Sequence, residues 1–183
     1  MENKDTELID SYLSGDDNAL KELIGKYTPQ IYNFVRRFVG VNEADDITQE
    51  VFIKVWKNLK KFNVDKSSFK TWIFTIARNT VIDFMRKRKI VLFSSLDNEE
   101  NFSESIEDEA ILPDEVIQKL QDVDLLNSLL EKLPEQYRTV LVLHYQEDMT
   151  FDEISQVLNK PSNTVKSHHL RAISQLRRMI APK

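Results

Sequence analysis

Three histidines are the only imidazoles in the chain, and two of them, His168 and His169, stand side by side in the basic run TVKSHHLRAIS, Thr164 to Ser174. Imidazole titrates near neutral pH, so such a pair invites metal ligation or proton transfer. A helical metal pair needs a spacing of four residues, which puts both rings on one face. Adjacent residues point about 100° apart on a helix and do not easily chelate one ion. A helical metallohydrolase would have to recruit His144 and carboxylates from elsewhere in the chain, and no carboxylate pattern near His144 supports that reading. The absence of cysteine excludes disulfides and thiolate zinc sites. The sequence thus predicts no catalytic residue, no metal ligand set, no cofactor and no small-molecule substrate.

The residues around the histidines point to binding instead. TFDEISQVL, a break at NKPS, and a longer basic helix from about Asn163 to Ile180 make a helix-turn-helix pattern. On a helical wheel with Val165 at zero, Ala172, Ile173, Leu176, Met179 and Ile180 fall within roughly 80° and form an apolar stripe. Opposite them lie Asn163, Thr164, Ser167, Arg171, Ser174 and Arg178, a polar face without an acid. A duplex major groove admits such a helix, with its N-terminal residues on base edges and its cations on phosphate. His169 falls about 40° from Val165, inside the stripe, and reads as a core imidazole. His168 falls about 60° to the other side, where DNA contact and plain surface exposure stay equally open. Lys166 occupies the far flank.

A second stretch carries nucleic-acid chemistry of another kind. From Lys66 to Lys89 there are seven bases (Lys66, Lys70, Arg78, Arg86, Lys87, Arg88, Lys89) against one acid, Asp83, interleaved with Phe69, Trp72 and Phe74. Cations neutralise phosphates and rings stack on unpaired bases, which is what single-stranded nucleic acid demands. Trp72, Ile73, Ile76 and Phe84 read as core, whereas Thr71, Thr75, Arg78, Asn79 and Arg86 lie on the polar side. In the preceding segment Ile47, Val51, Phe52, Ile53, Val55, Trp56 and Leu59 spread over about 240° of helix, although a surface helix needs a stripe of little more than about 100°. Burial within a bundle and an apolar partner surface rimmed by Asp45, Asp46, Gln49 and Glu50 fit this excess equally.

The elements that must hold these residues are helices. The chain of 183 residues is rich in charge and has only 3 Gly and 5 Pro, with little strand-type alternation, which predicts an all-α fold. Its polar N-terminus and the lack of any apolar run near 20 residues predict neither a signal peptide nor a membrane span, and a cytoplasmic setting. The net charge of −5 is unevenly spread: +3 over residues 1–90, −9 over 91–118 without a single base, and +1 over 119–183. That pattern predicts two small helical domains, 1–90 and 116–183, the second a four-helix helix-turn-helix domain, joined by an acidic flexible linker, 91–115. The linker composition suits a solvated tether, yet Leu96, Phe102, Ile106, Ile111 and Leu112 recur through it and suit partial docking. The first domain should hold helices over Thr6–Leu13, Asn18–Val39, Asn42–Phe62 with Asn42 as N-cap, and one beginning at Phe69 behind Ser67 or Ser68. The second should hold Val116–Lys132, Pro134–Tyr145 with Pro134 in the first turn, Thr150–Leu158 with Thr150 and Glu153 as a capping box, and Asn163–Ile180.

ADDITQEVFIKVWKNLKKF followed by FKTWIFTIARNTVIDFMRKRK resembles the second conserved region of bacterial sigma-70-family RNA polymerase sigma factors. LPEQYRTVLVLHYQEDMTFDEISQVLNKPSNTVKSHHLRAISQLR resembles their fourth. Two ordered motifs in so short a chain are similar to the extracytoplasmic-function (ECF) group. The resemblance covers about residues 20–90 and 125–180 and implies a promoter-specificity subunit rather than an enzyme. It places Asp46, Gln49, Glu50, Phe52, Ile53 and Trp56 against the clamp helices of core RNA polymerase, with the flap region as a further contact. It places Lys66, Ser67, Phe69, Lys70, Arg78, Asn79 and Arg86 on unpaired promoter DNA at the −10 element. Asn163, Thr164, Lys166, Ser167, His168 and Arg171 would meet duplex promoter DNA at the −35 element. The family also implies an anti-sigma factor, held in many cases at a membrane, and a linker that threads the polymerase channels. The family usually carries Arg and then an aliphatic residue after VKS, where this chain has His168 and His169. A stand-alone helix-turn-helix regulator is the alternative, but it needs one DNA module and leaves the acid-poor aromatic helix unexplained.

Overall fold

A computed structural model describes residues 2–92 and 123–180. Within them run α1 (Glu2–Leu13), α2 (Asp17–Val39), α3 (Val41–Asn58) with a 3₁₀ turn at Leu59–Lys61, α4 (Phe69–Leu92), α5 (Val123–Glu131), α6 (Glu135–Tyr145), α7 (Phe151–Leu158) and α8 (Ser162–Ile180), and no strand. The described residues form two compact units, one of α1 to α4 with Gln156–Asn159, the other of α5, α6, α8 and the start of α7. No described helix is long and apolar enough to cross a membrane. The acidic segment from residue 93 onward, and the expected start of α5 at Val116, lie outside the described residues.

In the first unit, α2 is the central strut. Asp16 caps it, its side chain accepting from the Asn18 N–H at 2.9 Å, and Leu23, Tyr27, Ile31, Phe34 and Val35 are buried along one face. Pro29 sits inside this helix. It lacks an N–H, which leaves the Gly25 carbonyl without its helical donor, and Gly25 lies on the exposed side of the helix. The link to α3 is a single residue, Gly40, at φ +87°, where a side chain would be strained. That tight link starts α3 at Val41 and makes Gly40 its N-cap, so Asn42 lies within the first turn rather than capping it.

Helix α3 buries Ala44, Ile47, Thr48, Val51 and Val55, and α4 buries Phe69, Thr71, Ile73, Phe74, Ala77, Thr80 and Val81. Ser68 caps α4: its Oγ accepts from the Thr71 N–H at 3.1 Å. Phe34 meets Phe74 edge-on at 5.5 Å, and Tyr27 meets Phe69 edge-on at 5.2 Å, offset arrangements that ring quadrupoles favour. Helix α1 docks through the buried Asp5, whose carboxylate accepts from the Tyr27 hydroxyl at 2.6 Å and from Lys26.

In the second unit, α6 is buried from Tyr137 to Leu143 on every side, including Arg138 and Thr139. Leu129, Leu130 and Leu133 join Tyr137 and Leu141 against Ala172, Ile173 and Leu176 of α8, with Ile180 at the edge. Arg138 donates to the Glu131 and Leu133 carbonyls at 2.6 and 3.3 Å, satisfying groups at the end of α5 that have no helical donor. Pro134 is the N-cap of α6, its carbonyl accepting from the Tyr137 and Arg138 N–H groups. The capping box forms as expected: the Thr150 N–H donates to Glu153 Oε2 at 2.7 Å and the Glu153 N–H to Thr150 Oγ1 at 3.3 Å.

Asp5→Ala removes the carboxylate that accepts from the buried Tyr27 hydroxyl and should cost about 1–3 kcal/mol of the first unit's stability. Both tryptophans, Trp56 and Trp72, belong to that unit. A fall in the urea midpoint of tryptophan fluorescence is therefore expected, and an unchanged midpoint would contradict the assigned role.

Candidate nucleic-acid and polymerase interface

The turn before α8 is shaped by its own backbone. Asn159 takes a left-handed φ of +50°, a conformation asparagine tolerates. The Lys160 N–H then returns to the Ser155 carbonyl at 3.0 Å, and the Asn159 N–H to Gln156 at 3.2 Å, closing α7 in a Schellman arrangement. Pro161 follows, and its carbonyl receives the Thr164 and Val165 N–H groups that open α8. The helix buries Val165, His168, His169, Ala172, Ile173 and Leu176. Asn163, Lys166, Arg171, Ser174 and Arg178 are exposed, and Thr164 and Ser167 partly so. Ser167 Oγ donates back to the Asn163 carbonyl at 3.0 Å. The expected acid-free polar face therefore exists, except that Met179, placed by the wheel in the buried stripe, is 39 % exposed.

In the first unit, the loop before α4 is held by Asn63, whose side chain accepts from the Asp65 N–H at 2.8 Å. Lys66 is exposed, Ser67 and Lys70 half-buried, and Asn79 and Arg86 exposed on α4. Arg78 is half-buried and donates to Asn79 Oδ1 at 3.3 Å, and Arg86 pairs with Asp83 at 3.1 Å. Two ring expectations change. Phe69, expected at DNA, is 4 % exposed and wedged between Tyr27, Phe62 and Trp72, so its faces are closed to a base. Trp72, expected in the core, is only half-buried and leans on Phe62 at 5.4 Å. Ile76 and Phe84 are likewise half-buried, whereas Thr71, expected on the polar side, is buried. The displacement follows from Phe69 opening the helix: the first turn dives into the core and takes Thr71's place with it.

Helices α2 and α3 enclose an open groove of about 760 Å³ lined by Ile24, Tyr32, Asp45, Gln49, Phe52 and Ile53 among others. The expected polymerase-facing residues are thus not all alike: Gln49, Phe52 and Ile53 share the groove, while Asp46 and Glu50 are exposed outside its lining. Glu50 pairs with Lys54 at 2.7 Å, and Lys54 also donates to Thr80 of α4 at 3.1 Å. Trp56 is 54 % exposed and donates through Nε1 to the Tyr12 hydroxyl of α1 at 2.8 Å. The wide apolar spread of α3 resolves into a buried row, Ile47, Val51 and Val55, and an exposed pair, Ile53 and Trp56.

Residues 23–90 match the family model for Sigma-70 region 2, and residues 124–176 the model for Sigma-70 region 4. The ECF RNA polymerase sigma factor SigW of Bacillus subtilis is 34 % identical over 172 residues, which cover 91 % of each chain. The chain belongs to the ECF group of the sigma-70 family. The ECF RNA polymerase sigma-E factor of Haemophilus influenzae is 28 % identical over 191 residues, covering 97 % of this sigma factor and 96 % of that one. The fold is shared with CnrH, solved in complex with the cytosolic domain of CnrY, at a TM-score of 0.71 and 23 % identity over 97 % of both chains. It is shared too with RpoE of Bartonella quintana, solved with the anti-sigma factor NepR, at 0.68 and 21 % identity over 88 % of this chain and 96 % of that one.

The two histidines of this sigma factor are both inside. His169 is 7 % exposed, hydrogen-bonded through Nε2 to the Tyr145 hydroxyl at 2.9 Å and packed on Phe151. His144 stacks on Phe151 at 4.6 Å, and its Nδ1–H donates to the Met149 carbonyl at 2.9 Å. His168 is also 7 % exposed, its ring 5.3 Å from that of Tyr137. It is therefore withdrawn from the DNA-contacting set: the wheel angle that left it on a flank took no account of Tyr137, which covers that flank. The rings diverge onto different aromatic partners, and among the described residues no three His, Asp or Glu side chains gather as a metal site. Arg138, by contrast, was missed in the sequence because a charged residue in an apolar helix reads as exposed.

Burial, and then the Lys160 and Arg171 charges, lower the His168 pKa to about 4; burial and then His144 lower that of His169 to about 4. Unfolded histidine titrates near 6.5, so between about pH 6.5 and pH 4 the unfolded chain binds more protons, and stability falls as pH falls. The second unit should melt at lower temperature at pH 5 than at pH 7, and His169→Gln and His168→Phe should each flatten that dependence in calorimetry. Unchanged pH dependence in both variants would refute the buried neutral assignment.

Proposed function

We propose that this sigma factor directs promoter-specific transcription initiation through three separate surfaces. The groove between α2 and α3, with Gln49, Phe52 and Ile53, receives a helical segment of core RNA polymerase, and Asp46, Glu50 and Trp56 widen the contact beyond it. Lys66, Ser67, Lys70, Arg78, Asn79 and Arg86 engage unpaired DNA at the −10 element, where cations meet phosphate and the half-buried Trp72 offers an edge for a base. Helix α8 enters the major groove at the −35 element with Asn163, Thr164, Lys166, Ser167 and Arg171. The place of action is the cytoplasm, where polymerase and DNA meet. An anti-sigma factor, the kind of partner named for RpoE, is the expected regulator.

The observation that carries this reading is the presence in one chain of a recognition helix with an acid-free polar face and a second helical unit with an exposed apolar groove. A stand-alone regulator has no use for the second. Run-off transcription with purified core polymerase tests the whole: transcripts should start at defined promoters only when the protein is present, and their absence would end the proposal. Arg171→Ala should weaken −35-dependent recruitment by about 1–3 kcal/mol while leaving core affinity unchanged. Ile53→Asp should do the reverse, lowering core affinity about tenfold or more, since it charges an exposed apolar contact. Coupled loss of both activities in either variant would contradict the division of labour.

A further inference from the structure

The first turn of α6 touches the DNA-binding motif at two neighbouring residues. Tyr137 carries the His168 ring, and Gln136 accepts a hydrogen bond through Oε1 from Lys160 Nζ at 3.2 Å. Lys160 stands in the turn, one residue after the left-handed Asn159, with its own N–H returned to Ser155. Its backbone is thus fixed by the Schellman closure and its head by a neutral amide, which orients the ammonium without cancelling its charge. Arg171, one turn beyond His168 on α8, is exposed. Both cations are close enough to His168 to help hold its imidazole neutral. The two permanent charges, one on the turn and one on the recognition helix, both disfavour a charged His168 imidazole.

We infer that Lys160 is a further DNA-binding residue, a phosphate-contacting cation beside the −35 recognition helix, and that His168 is a positioning residue bracing the α6 turn that aims it. The inference rests on the reading of α8 as the −35 helix. An ammonium binds phosphate as a point charge without regard to the base attached. Lys160 accordingly adds affinity and salt dependence, and leaves sequence preference to Asn163, Thr164, Ser167 and Arg171.

The test uses holoenzyme assembled from the full chain and core polymerase, and a fluorescent duplex promoter fragment, with affinity measured between 50 and 200 mM salt. Lys160→Gln should reduce the steepness of log affinity against log salt by about 0.9, one phosphate contact, and weaken binding alike for different −35 sequences. His168→Phe keeps a ring on Tyr137 and should preserve the wild-type slope. His168→Ala removes the brace, and combining it with Lys160→Gln should lower the slope no further than Lys160→Gln alone. An unchanged slope for Lys160→Gln, or a full unit lost in His168→Phe, would overturn the assignment. Core affinity of each variant is measured separately: wild-type protein that fails to bind core or to initiate would sink the underlying reading, whereas normal initiation with an unchanged Lys160→Gln slope sinks only the role of Lys160.

Discussion

The burial of Ala172, Ile173 and Leu176 against α5 and α6 is the interaction on which the exposed face of α8 depends. A helix of 19 residues with mostly polar sequence has little reason to form alone in water, since nucleation is costly and its propensity modest. Packing on one face supplies what the sequence lacks. Once that stripe is fixed, the opposite face has no freedom left: Asn163, Thr164, Ser167, Arg171 and Ser174 must point outward together. The identity of the outward-facing residues is thus set by what lies behind them. Arg138 extends the same constraint inward, because α5 can end under α8 only if its last carbonyls find donors, and Arg138 provides them.

The first unit obeys a different constraint. Gly40 allows α2 to turn into α3 within one residue, so the two helices run side by side with almost no loop to absorb slack. Their facing apolar residues are then divided by geometry. Ile31, Phe34, Val35, Ile47, Val51 and Val55 close the core, and what remains between the helices is an open groove bordered by Tyr32, Phe52 and Ile53. Exposing Ile53 and Trp56 at about half of their surface is unfavourable for an isolated chain and intelligible for one that meets a partner helix there.

Most of the helical order was legible in the sequence, because apolar spacing, the capping box at Thr150 and Glu153, and the break at NKPS all act locally. The acid-free face of α8 was legible for the same reason. What escaped were the facts set by neighbours in space. His168 looked like a flank residue because a wheel has no Tyr137 in it. Phe69 looked like a stacking ring because its charged neighbours are visible in sequence, whereas Tyr27 and Phe62 come from other elements. Asn42 was a reasonable cap by residue type, but a one-residue connection at Gly40 left no room for an extended cap beyond it.

The departure at His168 and His169 follows from the same physics. A guanidinium at position 168 could snorkel past Tyr137 and carry a permanent charge to the surface. An imidazole is too short to do so, and stays against the tyrosine ring. Once there it is best neutral, since a buried charge beside Lys160 and Arg171 would face both desolvation and like-charge repulsion. Neutrality in turn spares those two cations a third positive neighbour. Histidine at this position therefore substitutes shape for charge, and leaves the exposed cationic positions to residues on either side of it.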